Sequence, residues 1–319
     1  MRIALLYNLR ASVVCPPDGP PDALAEYDTE ETVRGLREAL ASTGHTVIPL
    51  EADCTLLDSI RRASPDMCFN IAEGLRGESR ESHVPALLEM LGIPYTASGV
   101  LANALSLDKA MCKIVWQASG LPTAPFQVFR RGDEPLSSDL EFPLFVKPAR
   151  EGSGMGVSHE SIARDERELR ERARWVICTY RQPALAEAFL SGREFTVGLI
   201  GNERMIYELP RSPLYDARGF HTFPVLEIDV APVPEAEGIY SSHVKGERPL
   251  DPRYLCPAPI DGDLSRQLQG LAVEAFAAIG AADVSRVDFR LDEYCRPHLL
   301  EINTLPGLNP KYSDIVMAA

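Results

Sequence analysis

Three short apolar segments in the first seventy residues alternate with two segments of helical periodicity. The apolar segments are residues 2–7, 46–50 and 66–71. Residues 29–43 and 56–62, which lie between them, repeat apolar side chains every three to four positions, as amphipathic helices do. This alternation of strand and helix predicts a parallel sheet with helices packed on its faces.

The rest of the chain mixes helical and strand-like segments less regularly. We predict, in order, a helix at 81–91, a strand at 93–96, a helix at 109–119, strands at 126–129, 144–147 and 157–159, a helix at 165–174, strands at 184–189 and 194–200, a helix at 264–279 and a strand pair within 284–303. We interpret 98–107 as a linker and the proline-rich segment 202–257 as long loops. The predicted fold class is α/β (α+β), with domains at 1–105, 106–186 and 187–319.

Composition and charge exclude several classes of protein. The 319 residues are 45% hydrophobic and 24% charged, and the formal net charge of −14 argues against a nucleic-acid partner but not against ATP in a local basic pocket. The seven scattered cysteines form no Cys-x-x-Cys pair, so we predict neither a disulfide framework nor a zinc site. No apolar run approaches the roughly 20 residues that span a bilayer. We therefore expect a cytoplasmic protein without a membrane partner.

Carboxylates interrupt apolar, strand-like runs near the C-terminus. Glu301 and Asn303 are two residues apart, so they share one face of a strand, while Leu300 and Ile302 fill the other. Asp288 lies in the preceding run. Two carboxylates and an amide oxygen are hard oxygen donors, which suit Mg²⁺. The pattern predicts a divalent metal site that holds a nucleotide's phosphates.

Two basic residues and a glycine-rich loop point to an anionic ligand. Arg286 shares a strand face with Asp288, where it can bind a developing oxyanion or form a salt bridge to that aspartate. Lys147 ends an apolar strand, where burial is costly unless the ammonium meets an anion; a lysine that reaches out to solvent is the alternative. The loop 151–156, Glu-Gly-Ser-Gly-Met-Gly, predicts either a flap that closes over phosphates or a flexible hairpin turn.

Residues 187–194 suit a purine slot. They form an apolar strand with a carboxylate at each end, so Glu187 and backbone groups can meet the adenine edge and Glu194 the ribose hydroxyls. Two exposed glutamates at strand ends are the alternative. Lys109 opens a helix after Asp108 and, taken alone, is a solvated lysine. The absence of His-x-x-x-His and Gly-x-Ser-x-Gly patterns disfavours a zinc enzyme or a serine hydrolase.

Taken in order, these segments resemble the ATP-grasp superfamily, and within it the D-alanine–D-alanine ligases. The matching segments are Leu-Gly-Ile-Pro-Tyr-Thr at 91–96, Ser-Leu-Asp-Lys at 106–109, Val-Lys-Pro-Ala-Arg-Glu-Gly-Ser at 146–153 and Leu-Glu-Ile-Asn-Thr-Leu-Pro-Gly at 300–307. The resemblance runs from about residue 66 to the end. It implies an ATP-grasp fold preceded by an N-terminal parallel-sheet domain, and a ligase that uses ATP and Mg²⁺.

The resemblance also implies a role for each matching residue. For ATP it implies phosphate binding by Lys109, Lys147 and the loop residues Glu151, Gly152, Ser153 and Gly154, adenosine binding by Glu187, Leu190 and Glu194, and contact with the terminal phosphate by Lys245. For the metal it implies that Asp288, Glu301 and Asn303 bind two Mg²⁺ ions, or Mn²⁺. For the reaction it implies an oxyanion hole formed by Arg286 and the backbone N–H of Gly307. Ser153 also helps to order the first amino acid. Phosphoryl transfer from ATP makes an acylphosphate, which the amine of a second amino acid attacks while the flap excludes water.

Three functions fit these features. The first is synthesis of D-alanyl-D-alanine for the peptidoglycan of a cell wall, and the second is ligation of other amino or hydroxy acids in specialised metabolism. The third is ATP binding without catalysis, which the presence of Arg286 beside the metal residues disfavours. The expected partners are small-molecule amino acids such as D-alanine, and the resemblance implies a homodimer.

The sequence departs from the resemblance at the N-terminal substrate site. The ligases usually carry Gly-Gly-x-Ser-x-Glu after the first strand, and its glutamate binds the first substrate's ammonium. Residues 7–10 read Tyr-Asn-Leu-Arg instead, so we consider Glu26 and Glu30 for that ammonium. Residues 70–74, Asn-Ile-Ala-Glu-Gly, replace the usual His-Gly, and Gly246 stands where a tyrosine often follows the catalytic lysine.

Overall fold

The computed structural model describes residues 1–14, 19–203, 212–234, 238–247 and 251–319. Within them it contains one parallel and two antiparallel sheets. No helix in these ranges is both long enough and apolar enough to cross a membrane. The division of the chain into 1–105, 106–186 and 187–319 stays a prediction. Predictions for the remaining parts of 202–257 lie outside the described residues.

The N-terminal sheet has three parallel strands in the order β2–β1–β3. They are β1 (Arg2–Tyr7), β2 (Thr46–Glu51) and β3 (Met67–Asn70). Helices α1 (Glu30–Ser42) and α2 (Leu56–Ala63) form the crossovers. The parallel sheet predicted from the strand–helix alternation is therefore confirmed.

Three helices connect this sheet to the next. They are α3 (His83–Leu91), α4 (Val100–Leu107) and α5 (Lys109–Ala118). The predicted linker at 98–107 is wrong, because this apolar run buries side chains in the core and forms α4. The strand predicted at 93–96 is reduced to one bridge with β3.

The central sheet is antiparallel, with the strand order β4–β7–β5–β6. Its strands are β4 (Phe126–Phe129), β5 (Leu144–Pro148), β6 (Ile162–Ala163) and β7 (Ala184–Ala188). Helix α6 (Glu166–Tyr180) packs on it through Leu169 and Val176. The strand predicted at 157–159 is wrong: a 3₁₀ turn occupies His159–Ser161, and the strand begins only after it.

The C-terminal sheet holds the largest core. Its strands are β8 (Glu194–Gly201), β9 (Phe220–Thr222), β10 (Leu226–Asp229), β11 (Arg253–Leu255), β12 (Val284–Leu291) and β13 (Pro297–Asn303), and the helices of this region are α7 (Ser242–Glu247), α8 (Gly262–Ala278) and α9 (Asp314–Ala318). Phe195, Phe276 and Phe289 are fully buried between α8 and the sheet. The described parts of 202–257 are thus more regular than predicted.

A bulge in β13 decides which side chains face the cleft between the central and C-terminal sheets. Arg286 pairs with Asn303 and Asp288 with Glu301, but the register shifts directly after Asp288, so Leu300 is an extra residue. The predicted place of Leu300 on the core face is wrong. The bulge turns it toward the cleft, beside Glu301.

Candidate active site

Two adjoining cavities occupy this cleft. The small cavity, of about 100 Å³, has an apolar wall that includes Phe145, Met155, Leu190 and Leu300. The large cavity, of about 360 Å³, extends to the N-terminal sheet and its loops. Six residues border both cavities: Lys109, Glu151, Tyr240, Lys245, Glu301 and Asp314. Two ligands bound side by side would therefore meet at this shared border.

Lys147 on β5 is buried and faces Glu187 on the neighbouring strand β7. Its Nζ lies 2.6 Å from Glu187 Oε1, and the Nζ of Lys113 on α5 lies 2.7 Å from Oε2. Burial raises the pKa of Glu187, but the two ammonium groups outweigh it and bring the pKa to about 2. Lys113 was not singled out from the sequence, although it follows Lys109 by four residues and so shares its helix face.

The predicted adenosine residues line the small cavity. Leu190 and Glu194 contribute to its wall, and the stacked rings of Phe145 and Phe189 have centroids 6.2 Å apart. Nη1 of Arg290 lies 3.5 Å from the Glu194 carboxylate. An apolar wall next to a carboxylate suits a purine base and its ribose hydroxyls.

The carboxylate of Glu187 is already engaged. Both of its oxygens lie against lysine ammonium groups, which compete with an adenine edge for the lone pairs of the carboxylate. β7 pairs with β4 on one side and with β5 on the other, and the N–H groups of Ala188 and Phe189 donate to the carbonyls of Pro125 and Pro143. The predicted role of Glu187 in adenine recognition stays a prediction, and the contacts that the structure shows for its carboxylate are those with Lys147 and Lys113.

The predicted metal residues lie together on β12 and β13. Oδ1 of Asp288 accepts hydrogen bonds from the Thr196 hydroxyl at 2.6 Å and from Arg286 Nε at 2.9 Å. Asp288 and Glu301 are direct cross-strand neighbours, and the Asn303 amide lies 3.3 Å from Asp288 Oδ2. Two carboxylates and an amide are a donor set that fits Mg²⁺ when phosphate oxygens complete the shell.

Glu301 is surrounded by basic side chains. Its Oε2 lies 3.3 Å from Lys109 Nζ. Burial raises the pKa of the Glu301 carboxyl, but Lys109, Lys147, Lys245 and Arg286 outweigh burial and hold the pKa well below its usual range. The four bases come from four different elements, so the fold concentrates positive charge at the border of the two cavities.

Arg286 is held between two aspartates. Its Nη2 lies 2.7 Å from Asp288 Oδ2, and its Nη1 lies 3.2 Å from Asp314 Oδ2 at the start of α9. The predicted salt bridge to Asp288 is thus present, and the guanidinium also lines the large cavity, where an oxyanion can reach it. Asp314 was missed from the sequence. The sequence feature that could have identified Asp314 is its place as an acidic residue at the start of an apolar helix.

The other predicted catalytic groups border the large cavity. Lys245 on α7 lies over the ring of Tyr240, with Nζ 4.4 Å from the ring centroid. Ser153 and Gly307 line the same cavity. A side chain at position 307 would meet the Ser313 hydroxyl at 3.1 Å, so glycine keeps that backbone accessible.

The glycine loop lies against the start of α7. The N–H of Ser242 donates to the carbonyl of Gly154 at 3.0 Å, and a Cβ at Gly154 would lie 2.8 Å from the Ser242 nitrogen. Asp22 joins both sides: Oδ2 accepts from the Gly156 N–H at 2.8 Å and from the Ser242 hydroxyl at 3.0 Å, while Oδ1 accepts from the Tyr180 hydroxyl. The proline-rich N-terminal segment therefore joins the loop to the start of α7 and to α6, which the sequence did not reveal.

The two residues considered for the ammonium occupy different places. Glu30 is exposed in the first turn of α1 and does not line either cavity. Glu26 lines the large cavity, but its carboxylate accepts hydrogen bonds from Arg80 Nη2 at 2.6 Å and from the Gly152 N–H. The structure therefore brings Glu26 to the site, already paired, and leaves Glu30 outside it.

Two further glutamates line the large cavity and were not predicted. Glu73 follows β3, and Glu81 lies in a 3₁₀ turn before α3. Both belong to the segment that replaces the usual His-Gly or directly follows it. The concentration of acidic residues in a segment that departs from the family pattern could have identified Glu73 and Glu81.

Comparison with known proteins places the chain in a family. A family model described as D-ala D-ala ligase C-terminus matches residues 115–318. The D-alanine–D-alanine ligase of Nitrosococcus oceani is 34% identical over 287 residues, covering 89% of this chain and 79% of the relative. The uncharacterized protein y4sG of Sinorhizobium fredii is 35% identical over 336 residues, covering 100% of this chain and 91% of the relative.

Solved structures share the fold. A structure of D-alanine–D-alanine ligase from Bacillus anthracis complexed with ATP superposes with a TM-score of 0.70 at 19% identity, and it is matched over 100% of this chain and 90% of that one. A second structure of the Bacillus anthracis ligase gives 0.71 at 21% identity, over 100% and 91%. The predicted ATP-grasp fold is confirmed. The chain belongs to the D-alanine–D-alanine ligase family and is an ATP-dependent ligase that forms a carbon–nitrogen bond.

Proposed function

We propose that this protein forms a dipeptide by activating the carboxylate of one amino acid as an acylphosphate and transferring the acyl group to the amine of a second. ATP binds in the small cavity with its phosphates at the shared border, and the amino acids bind in the large cavity. D-Alanyl-D-alanine, a precursor of peptidoglycan, is the first candidate product, because several relatives are named for that ligation.

One observation carries this proposal. Lys109, Lys147, Lys245 and Arg286 converge on Glu301 at the border between an apolar-walled cavity and a polar one. A buried cluster of bases around a carboxylate is costly unless an anionic ligand uses it. A triphosphate that enters from one side and a carboxylate that enters from the other would meet there.

Each side chain has a role that follows from its position. Lys147, fixed by Glu187, and Lys245 balance the charge of the transferring phosphoryl group. Arg286, held in place by Asp288 and Asp314, offers N–H donors to the oxyanion of the tetrahedral intermediate. When bound to Asp288, Glu301 and Asn303, two Mg²⁺ ions, or Mn²⁺, would neutralise phosphate charge.

The closed loop protects the reaction. An acylphosphate is hydrolysed if water reaches it, so the site must be shielded before phosphoryl transfer. The loop 151–156, held against Ser242 and Asp22, covers the border of the cavities. Opening of this loop is then the step that admits ATP and releases the product.

Transfer of oxygen from substrate to phosphate tests the proposal. Amino acid labelled with ¹⁸O in its carboxylate is incubated with the protein, ATP and Mg²⁺, and the released phosphate and the peptide are analysed by mass spectrometry. Because the carboxylate oxygen attacks the γ-phosphorus and leaves with phosphate, we expect one ¹⁸O in each phosphate and ADP as the nucleotide product. AMP with pyrophosphate, or phosphate without label, would contradict the acylphosphate route.

A second candidate is ligation of amino acids other than D-alanine. The observation that favours it is the acidic lining of the large cavity, where Glu73 and Glu81 stand near an already paired Glu26. A small neutral side chain gives such a lining nothing to bind. The same assay with a panel of amino acids of both configurations separates the two candidates, and nucleotide binding without turnover on any of them would indicate a protein that only binds ATP.

A further inference from the structure

The end of the large cavity next to the N-terminal sheet contains more acids than bases. Five carboxylates line it: Glu26, Asp28, Glu73, Glu81 and Glu151. The basic side chains that line the cavity near these acids are Arg10 and Lys109. Lys109 is paired with Glu301 on the other side of the cavity. The acids therefore exceed the cations that the described residues provide.

Arg80 is already satisfied. Its Nη2 donates to Glu26 Oε2 at 2.6 Å and to Glu151 Oε2 at 3.0 Å, and its Nη1 donates to the Arg150 carbonyl at 3.0 Å. One guanidinium thus bridges two carboxylates of the group and can neutralise only one of them. Among the described residues, Arg80 forms no ion pair with Glu73 or Glu81.

Glu81 is a buried acid without a partner. It is 9% exposed, and its carboxylate makes no hydrogen bond or ion pair with any residue that the structure describes. Glu73 likewise lines the cavity without such a partner. Burial and the nearby Glu26 raise the pKa of Glu81 to about 8, against the opposing effect of Arg80 and Lys109. In the free protein such a carboxyl is protonated at neutral pH, and it ionises only when a cation lies beside it.

Among residues 1–14, 19–203, 212–234, 238–247 and 251–319, no three acidic, histidine or cysteine side chains are close enough to hold a metal ion. The carboxylates are spread along a cavity wall instead. Ammonium groups, each with three N–H donors on a flexible chain, suit such a spread arrangement.

We propose that the amino acid bound at this end of the large cavity is a diamino acid, whose side-chain ammonium lies between Glu73 and Glu81. The proposal rests on the ligase function and names the class of its substrate. An α-ammonium occupies only one place on this wall, and Glu73 and Glu81 form no ion pair among the described residues. A second ammonium on the substrate supplies a positive charge within reach of both unpartnered acids.

Matched pairs of amino acids test this. Diamino acids from 2,3-diaminopropionate to lysine, in both configurations, are each compared with the straight-chain amino acid in which a methyl group replaces the terminal amine. Phosphate release with ATP and Mg²⁺ gives kcat/KM, and calorimetry with a non-hydrolysable ATP analogue gives binding. We expect the best diamino acid to exceed its methyl partner by at least about tenfold in both, because the amine makes charge-assisted hydrogen bonds.

Variants show whether the two glutamates carry the preference. Glu81→Gln and Glu73→Gln keep the shape but remove the charge, so each should lower the ratio of kcat/KM for the diamino acid to kcat/KM for its methyl partner by about tenfold. Glu78→Gln is the control, since this glutamate lies on the same segment but its side chain is 80% exposed and pairs with Arg150. Melting temperatures establish that each variant is folded.

The outcomes are distinct. If the methyl partners or D-alanine are used and bound as well as the diamino acids, the proposal fails and the ligase function stands. If no amino acid elicits phosphate release, the ligase function fails, and calorimetry still decides whether the cavity prefers a second cation. A preference that survives in both Glu→Gln variants would also overturn the proposed position of the ammonium.

Discussion

The ammonium of Lys147 lies 2.6 Å from one oxygen of Glu187, and Lys113 lies 2.7 Å from the other. All three side chains are buried, but only Lys147 and Glu187 line the small cavity. One carboxylate cannot neutralise two ammonium groups. The remaining positive charge is therefore available to an anion in the cavity. We expect mutation of Lys147 to weaken ligand binding and mutation of Lys113 to destabilise the fold.

Lys147→Met should abolish ATP-dependent ligation. Methionine keeps the apolar part of the side chain, and Glu187 keeps its ion pair with Lys113. The substitution therefore removes mainly the contact between the ammonium and the phosphates of the ligand. Because charge-assisted hydrogen bonds are removed, we expect the Kd for ATP to rise by about ten- to a hundredfold. Fluorescence or calorimetric titration measures binding, and released phosphate measures turnover. Phosphate release equal to that of the wild type would contradict the assigned role of Lys147.

Lys113→Met should instead destabilise the fold. Lys113 is fully buried, and its removal leaves the inner oxygen of Glu187 without a cation. Breaking a buried ion pair from one side costs about 3–5 kcal/mol in the free energy of unfolding. Lys311→Met is the control, because Lys311 is exposed and pairs with Glu31 at the surface, where a loss within about 1 kcal/mol is expected. Urea denaturation measures both, and equal effects would contradict this assignment.

The residues of the metal site could be predicted because successive side chains of a strand alternate between its two faces. Glu301 and Asn303 share a face by spacing alone, and apolar neighbours mark their run as a buried strand. The pairing of Asp288 opposite Glu301 then follows from two adjacent strands. Local spacing does not fix the register, however, and the bulge that turns Leu300 into the cavity is a property of the pair and not of either strand.

The substrate half could not be predicted because its contacts join distant parts of the chain. Asp22 meets Gly156 and Ser242, which lie 134 and 220 residues away. Glu26 reaches Arg80 across 54 residues. None of these pairs follows from a period or from a local motif, so they became visible only when the topology brought the segments together.

Asp22→Asn should loosen the closed loop. The change weakens three hydrogen bonds that join the flap, α6 and the start of α7. Water should then reach the acylphosphate more often, so we expect more phosphate released per peptide formed, with a higher KM for ATP. Quantifying phosphate and dipeptide in the same reaction measures this ratio. Asp58→Asn on α2, which is exposed, is the control, and an unchanged ratio in Asp22→Asn would show that Asp22 does not hold the flap.

Glu81 should make the free protein less stable as the pH rises. Its pKa in the folded protein is about 8, raised mainly by burial and by Glu26, and Glu73, Asp28 and Glu151 are raised in the same direction. In the unfolded chain these carboxyls titrate near pH 4, so between about pH 4.5 and 8 the folded state holds protons that the unfolded state has lost. The free energy of unfolding must then fall across this window.

Glu81→Gln removes one of the carboxyls whose pKa differs between the folded and the unfolded state. The slope of unfolding free energy against pH should become less steep by up to about 1.4 kcal/mol per pH unit in the window, so the variant should be more stable than the wild type at pH 8.5. Glu187, with its pKa near 2, affects stability only at lower pH. Urea denaturation from pH 5 to 8.5 measures the slopes, with Glu78→Gln expected to follow the wild type. If Glu81→Gln and the wild type give parallel curves, Glu81 is ionised in the free protein and the demand for a cation at this site is met from within the chain.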